Sequence, residues 1–166
     1  MNISEIYGTL KEMFPEAIHE VHEDPVGPYV VVSPGAGTIH LLMSLRDDNR
    51  FLFDHLSFLT ARDFGDSFEV IYELYSYYHK QSIELRARVS RVNPRIFSSS
   101  AVWNTAEWHE REVYDMFGIL FEGHPKLCRI LSPDDWQDYP LRKDYRFPEM
   151  YREIRISFPG ERHAQN

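Results

Sequence analysis

The sequence predicts an α+β fold: a mainly antiparallel sheet with helices on one face, a further helix at about 105–117, and an extended C-terminal arm. Three features carry that reading. First, Phe68, Val70, Tyr72 and Leu74 alternate with Glu69, Ile71, Glu73 and Tyr75, while Ile83, Leu85, Ala87 and Val89 alternate with Glu84, Arg86, Arg88 and Ser90. Two such runs of period two, joined through residues 76–81, make an antiparallel hairpin. Second, two upstream stretches space their apolar residues at helical intervals, which supplies a covering layer for the sheet. Third, both periods vanish beyond residue 118.

Ile3, Ile6, Tyr7, Leu10, Met13 and Phe14 share one helical face, and Pro15 ends that helix. Residues 17–21 alternate weakly as a first strand, and residues 29–32 form a second, stopped by Ser33-Pro34-Gly35. The Pro-Gly-Ala-Gly piece lacks the Gly-Lys-Ser/Thr of a phosphate loop. It reads as a turn into a helix over 38–46 presenting Ile39, Leu42, Met43 and Leu45. Residues 56–61 form a third strand, and residues 62–66 turn it into the hairpin. Across that hairpin Glu69 and Glu73 can face Arg86 and Arg88, each pair contributing roughly a few tenths of a kcal/mol. Residues 91–103, with Asn93-Pro94 and a run of serines at 98–100, link the sheet to the next helix.

That helix has both of its ends written in the sequence. Asn104 and Glu107 have capping-box spacing, Trp103 and Trp108 stand at staple positions, and Gly118 offers a left-handed residue where the helix should stop. Ala106, Val113 and Phe117 share a face flanked by Met116 and Tyr114, and Glu110 falls inside that apolar stripe. A carboxylate there must reach water or be neutralised. Either the stripe is narrow and Glu110 extends to solvent, or it pairs with a downstream arginine such as Arg129 or Arg142. Glu107, Arg111 and Asp115 lie on the opposite side in i,i+4 register for ion pairs.

After Gly118 the chain reads as ordered coil. Gly123-His124-Pro125 is a turn, residues 127–131 a short extended run, and Ser132-Pro133-Asp134-Asp135-Trp136 a capped helical turn. A long irregular stretch this rich in Trp, Tyr, Leu and Ile is clamped onto something rather than disordered. The division expected is an α+β domain over 1–118 and an arm over 119–166 that docks on other chains.

A formal net charge of −8 and a pI near 5.4 exclude general nucleic-acid binding and attraction to anionic membranes. Cys128 is the single cysteine, so this chain alone supplies no disulfide framework and no cysteine-ligated cluster. No apolar run approaches the roughly 18 residues of a membrane span, and no signal-peptide pattern opens the chain. His19 and His22 lack a third ligand, while His40, His55, His79, His109 and His163 are isolated. His124 reads as a turn fastener. Asp134 and Asp135 fit the dipole of a helical turn better than acid/base work. No nucleophile–base–acid constellation stands out, although a small enzyme using Glu110 and Arg111 is the competing reading from another class.

The run from Glu110 to Tyr145 resembles the signature of the 30 kDa subunit family, the C subunit of proton-pumping NADH:quinone oxidoreductase (respiratory complex I). The matching residues are Glu110-Arg111-Glu112, Asp115, Gly118-Ile119, Phe121, Gly123-His124-Pro125, Leu127, Arg129-Ile130-Leu131, Pro133-Asp134-Asp135-Trp136 and Pro140-Leu141-Arg142-Lys143-Asp144-Tyr145. The likeness continues more weakly over 30–104. It departs at Arg146, where the family commonly has proline. The resemblance implies a cofactor-free, non-catalytic subunit in the peripheral arm of a translocase, on the cytoplasmic side of the plasma (inner) membrane. It implies a hetero-oligomer with the D subunit and the adjacent cluster-bearing B and I subunits, attached to the membrane only through the complex. FMN, iron–sulfur clusters, NADH and a quinone belong to the whole electron-transport complex. The interface residues implied are Glu107, Glu110, Arg111, Glu112, Asp115, His124, Arg129, Asp134, Asp135, Trp136, Arg142, Lys143, Asp144 and Tyr145, with no catalytic, cofactor or metal site. A subunit of this type is shared with membrane-bound nickel–iron hydrogenases and quinone dehydrogenases fed by other donors.

Overall fold

A computed structural model describes residues 3–22 and 27–156. The Ile3 side chain, His163 and the last ten residues of the expected arm lie outside the described residues. The chain runs α1 (Ile3–Met13), β1 (Ile18–His22), β2 (Tyr29–Val32), α2 (Gly37–Asp47), β3 (His55–Asp63), β4 (Ser67–Ser76), β5 (Gln81–Ser90), β6 (Arg95–Phe97), α3 (Ala106–Phe117), β7 (Leu120–Glu122), β8 (Met150–Tyr151) and β9 (Ile154–Arg155).

The main sheet has the order β1-β2-β5-β4-β3. Its pairs are antiparallel except β2 with β5, which run parallel because the chain crosses over through α2, β3 and β4 before returning. The alternation of β4 and β5 sets their inner face: Phe68, Val70, Tyr72, Leu74, Ile83, Leu85, Ala87 and Val89 are all buried. Against that face lie Ile6, Tyr7 and Leu10 of α1, Leu41, Leu42 and Leu45 of α2, and Ala106, Val113 and Phe117 of α3.

Two local expectations change. Helix α2 buries Thr38, Leu41, Leu42 and Leu45, while Met43 is exposed and Ile39 only half-buried; five apolar residues in seven leave the phase of the wheel open. In the hairpin, Glu69 faces Arg88 as expected, but Glu73 faces Glu84 and Arg86 faces Ile71. Glu73 rises above its ordinary value, through burial first and the Glu84 charge opposite after it.

Two features of the core were not anticipated. Phe51 and Phe53, in the loop between α2 and β3, are fully buried. The core also runs past residue 118. Ile119 and Phe121 are enclosed, and β7 pairs in parallel with β6, so α3 is framed by a small second sheet.

Candidate functional site

Helix α3 is held differently at its two ends. At its start the capping box does not form: Thr105 is the N-cap without a side-chain bond, and the Glu107 N–H donates to the Asn104 carbonyl. Nor does the staple close. Trp103 turns into the core and donates Nε1–H to the Phe53 carbonyl at 3.1 Å, while Trp108 is exposed with the Arg111 guanidinium over its ring. The C-terminus behaves as expected, with Gly118 at φ 72 in the left-handed region.

The last four carbonyls of a helix have no partner within it. Here each finds a donor from beyond the helix. Gly118 N–H serves Tyr114 at 2.8 Å, Arg129 serves Asp115 at 3.2 Å, Leu141 N–H serves Met116 at 3.0 Å, and Arg142 Nε serves Phe117 at 2.7 Å. Tyr139 lies against Gly118, beneath both guanidiniums.

Two carboxylates of α3 are fully buried. Glu110 neither reaches solvent nor pairs with Arg129 or Arg142, which corrects both expectations. It accepts Ser98 Oγ at 2.6 Å, Ser99 N–H at 2.6 Å and Ser99 Oγ at 2.7 Å. The serine run that read as a linker is its receptor. Burial nevertheless lifts the Glu110 carboxyl above its ordinary range, against the pull of those serine bonds.

Asp115 does not share a solvated face with Glu107 and Arg111. Its Oδ1 accepts Arg129 at 2.8 Å, and its Oδ2 accepts the consecutive N–H groups of Ile130, Leu131 and Ser132 at 2.9, 2.7 and 2.9 Å. Burial alone would raise this carboxyl; the Ser132 and Leu131 N–H groups, Arg129 and the Ile130 N–H hold it below its ordinary value. Arg111, freed from Asp115, donates to the Cys128 carbonyl and Sγ at 3.3 and 3.0 Å.

A third carboxylate ties the arm down farther along. Asp63, at the end of β3, accepts Gly65 N–H at 2.7 Å, Arg91 at 2.7 Å and the Lys143 N–H at 2.8 Å. Arg91 also donates to Asp144. Burial pushes Asp63 upward, but Arg91 and the two backbone donors bring it down to about 2.

The remaining expected site residues spread along the arm. His124 donates Nε2–H to the Glu107 carbonyl and accepts the Lys126 N–H on Nδ1, so one tautomer makes both bonds. Residues 133–136 close a single turn through Trp136 N–H to the Pro133 carbonyl. Trp136 gives its indole N–H to Tyr145 and joins Phe147 and Tyr151 in an aromatic cluster, and Asp135 receives Tyr151 and Arg152. Glu112 and Asp134 are exposed. Of the residues expected at an interface with other chains, Glu110 and Asp115 are enclosed within this one and present no surface to a partner. Sequence reasoning missed Ser98, Ser99, Asp63, Arg91 and Tyr139. One signal was readable: Asp63-Phe64-Gly65 has the spacing of an Asx turn.

No three metal-ligating side chains converge among the described residues, and none of their helices is long and apolar enough to cross a membrane.

Residues 31–151 match the family described as respiratory-chain NADH dehydrogenase, 30 Kd subunit. The chain is 40% identical to the C subunit of the NADH-quinone oxidoreductase of Chloroherpeton thalassium over 92% of its own length, and spans 64% of that longer relative. It is 34% identical to the C subunit from Chlorobium phaeobacteroides, covering 92% of this chain and 93% of that one. With the C subunit from Citrifermentans bemidjiense it shares 42% identity, over 82% of this chain and 84% of the relative. Among solved structures, the trypsin-resistant fragment of Nqo5 superposes with a TM-score of 0.61 at 24% identity, covering 76% of this chain and all of the fragment. A chain of the membrane-bound sulfane sulfur reductase, an archaeal respiratory membrane complex, also gives 0.61 at 23% identity, covering 86% and 85%. These two likenesses speak to the fold.

Proposed function

The chain belongs to the respiratory-chain NADH dehydrogenase 30 kDa subunit family, and from that membership we propose that it is the C subunit of an NADH:quinone oxidoreductase, non-catalytic and cofactor-free. Its work is mechanical: it holds the quinone-reducing module together with the D subunit, beside the cluster-bearing B and I subunits. FMN, the iron–sulfur clusters, NADH and the quinone are bound elsewhere in the complex. The chain sits peripherally on the cytoplasmic side of the membrane and reaches it only through its partners.

The carrying observation is that the match over residues 31–151 runs without a break from the end of β2 through β3, β4, β5 and α3 into the arm. The use of polar groups around α3 supports the same reading. Glu110 and Arg111, on which the competing small-enzyme reading rests, are engaged in bonds within the chain, Glu110 with Ser98 and Ser99 and Arg111 with Cys128. Exposed Trp108, Leu131 and Leu141 leave apolar surface on α3 and the arm for a protein partner. Of the expected interface set, the residues offered to the D subunit are Glu107, Arg111, Glu112, His124, Arg129, Asp134, Asp135, Trp136, Arg142, Lys143, Asp144 and Tyr145. The arm, taken as residues 119–166, is the docking element.

The equivalent subunit of a nickel–iron hydrogenase or other-donor dehydrogenase is the second reading, supported by the fold shared with the sulfane sulfur reductase chain. Affinity purification of the tagged chain from membranes, with identification of its companions, separates them. Co-purification of the D, B and I subunits with NADH:quinone activity is expected. A large companion carrying paired CxxC nickel ligands would select the hydrogenase reading. Recovery of the chain alone, with turnover of its own, would overturn both.

A further inference from the structure

Three consecutive backbone N–H groups rarely aim at one atom. Those of Ile130, Leu131 and Ser132 all reach Asp115 Oδ2 within 2.9 Å, and Arg129 closes the other oxygen at 2.8 Å. A run of convergent N–H groups is a concave anion site of the kind that holds free phosphates and carboxylates in other proteins. Here the anion belongs to the chain itself, on a different element, and is wholly enclosed.

We propose that residues 129–132 are a carboxylate receptor whose built-in ligand is Asp115, and that filling this receptor is what orders the arm on α3. The segment has no secondary structure of its own to fix its course: residues 127–133 include neither helix nor strand. Leu131 is 63% exposed, so little apolar burial holds the backbone at that point. With Asp115 removed, the three N–H groups and Arg129 face a vacated site the size of a carboxylate. The downstream bonds from Leu141 and Arg142 to the end of α3 depend on the same chain path. The sheet does not, since its core is built from residues of β1 to β5 packed with α1 and α2, apart from residues 129–132.

The test uses the full chain and hydrogen exchange. In Asp115→Ala, exchange across 128–145 should accelerate by at least about tenfold, the loss of a single charge-assisted hydrogen bond, while β4 and β5 keep their protection. Sodium formate should restore the arm's protection in a saturable way, and sodium chloride at equal ionic strength should not. Asp115→Asn, which keeps the shape and one acceptor oxygen without the charge, should fall between. The proposal is overturned if the arm of Asp115→Ala stays protected, if chloride restores it as well as formate, or if formate restores nothing. It is equally overturned if Asp115→Asn loses protection in the sheet as much as in the arm, which would make Asp115 a residue of general stability.

Discussion

Gly118 is the point where helix, arm and core meet, and its replacement by alanine separates two physical costs. At φ 72 a side chain meets its own backbone, a penalty of roughly 1–2 kcal/mol. A Cβ built there would lie 2.5 Å from Tyr139 Cζ and 2.7 Å from Arg142 Nη2. Both groups must move. The Tyr139 ring then leaves Arg129 and Arg142, whose guanidiniums stand 5.1 and 4.5 Å from its centre. Each such contact is worth about 0.5–1 kcal/mol. The expected loss is therefore about 2–4 kcal/mol, measured as urea unfolding of the isolated chain. In a Tyr139→Ala background the ring is already gone and the flexible end of Arg142 has room to shift, so the same substitution should cost only about the backbone's 1–2 kcal/mol. An identical cost in both backgrounds would show that the ring does not press on Gly118, and would refute this account of the junction.

Asp63→Asn should cost up to about 2 kcal/mol at neutral pH, the equivalent of its depression from 3.8 to about 2. Because its folded value is depressed, that stability is complete above 3.8 and lost as pH falls through about 2. Acid titration of stability should therefore be flatter in the variant, and an unchanged acid limb would contradict the assignment. Glu110 has the opposite sign: its folded value is raised, so its contribution is complete below the ordinary carboxyl value and fades as pH climbs through the raised one. Unfolding midpoints from about pH 4 to about pH 8 should decline more in the wild type than in Glu110→Gln. Arg111→Glu should destabilise the isolated chain by about 1–3 kcal/mol by releasing Cys128, and should also block incorporation into the membrane complex. Normal incorporation would remove the reason for placing this face at an interface.

Periodic segments were legible because each carries its own signal. The hairpin of β4 and β5 repeats apolar residues every second position from Phe68 to Leu74 and from Ile83 to Val89, and that alternation specifies its inner face without reference to anything else. Gly118 marked the end of α3 in the same local way, since a left-handed C-cap is a property of one residue. The family signature from Glu110 to Tyr145 was also readable, and the match over 31–151 agrees with it.

The partners of the buried charges were not legible, because they lie far along the chain and the choice among them is geometric. The sequence offered Glu110 two arginines, yet it is the serines at 98 and 99 that face it, and Arg129 and Arg142 close the end of α3 instead. Asp115 sat in register with Arg111 on the helical wheel. Only the return of residues 129–132 across the helix encloses it and gives it four donors. Local patterning decides which residues face inward; which buried group satisfies which depends on how long-range segments converge. An enclosed carboxylate accepts whatever donors the fold delivers, provided that every one of its oxygens is met.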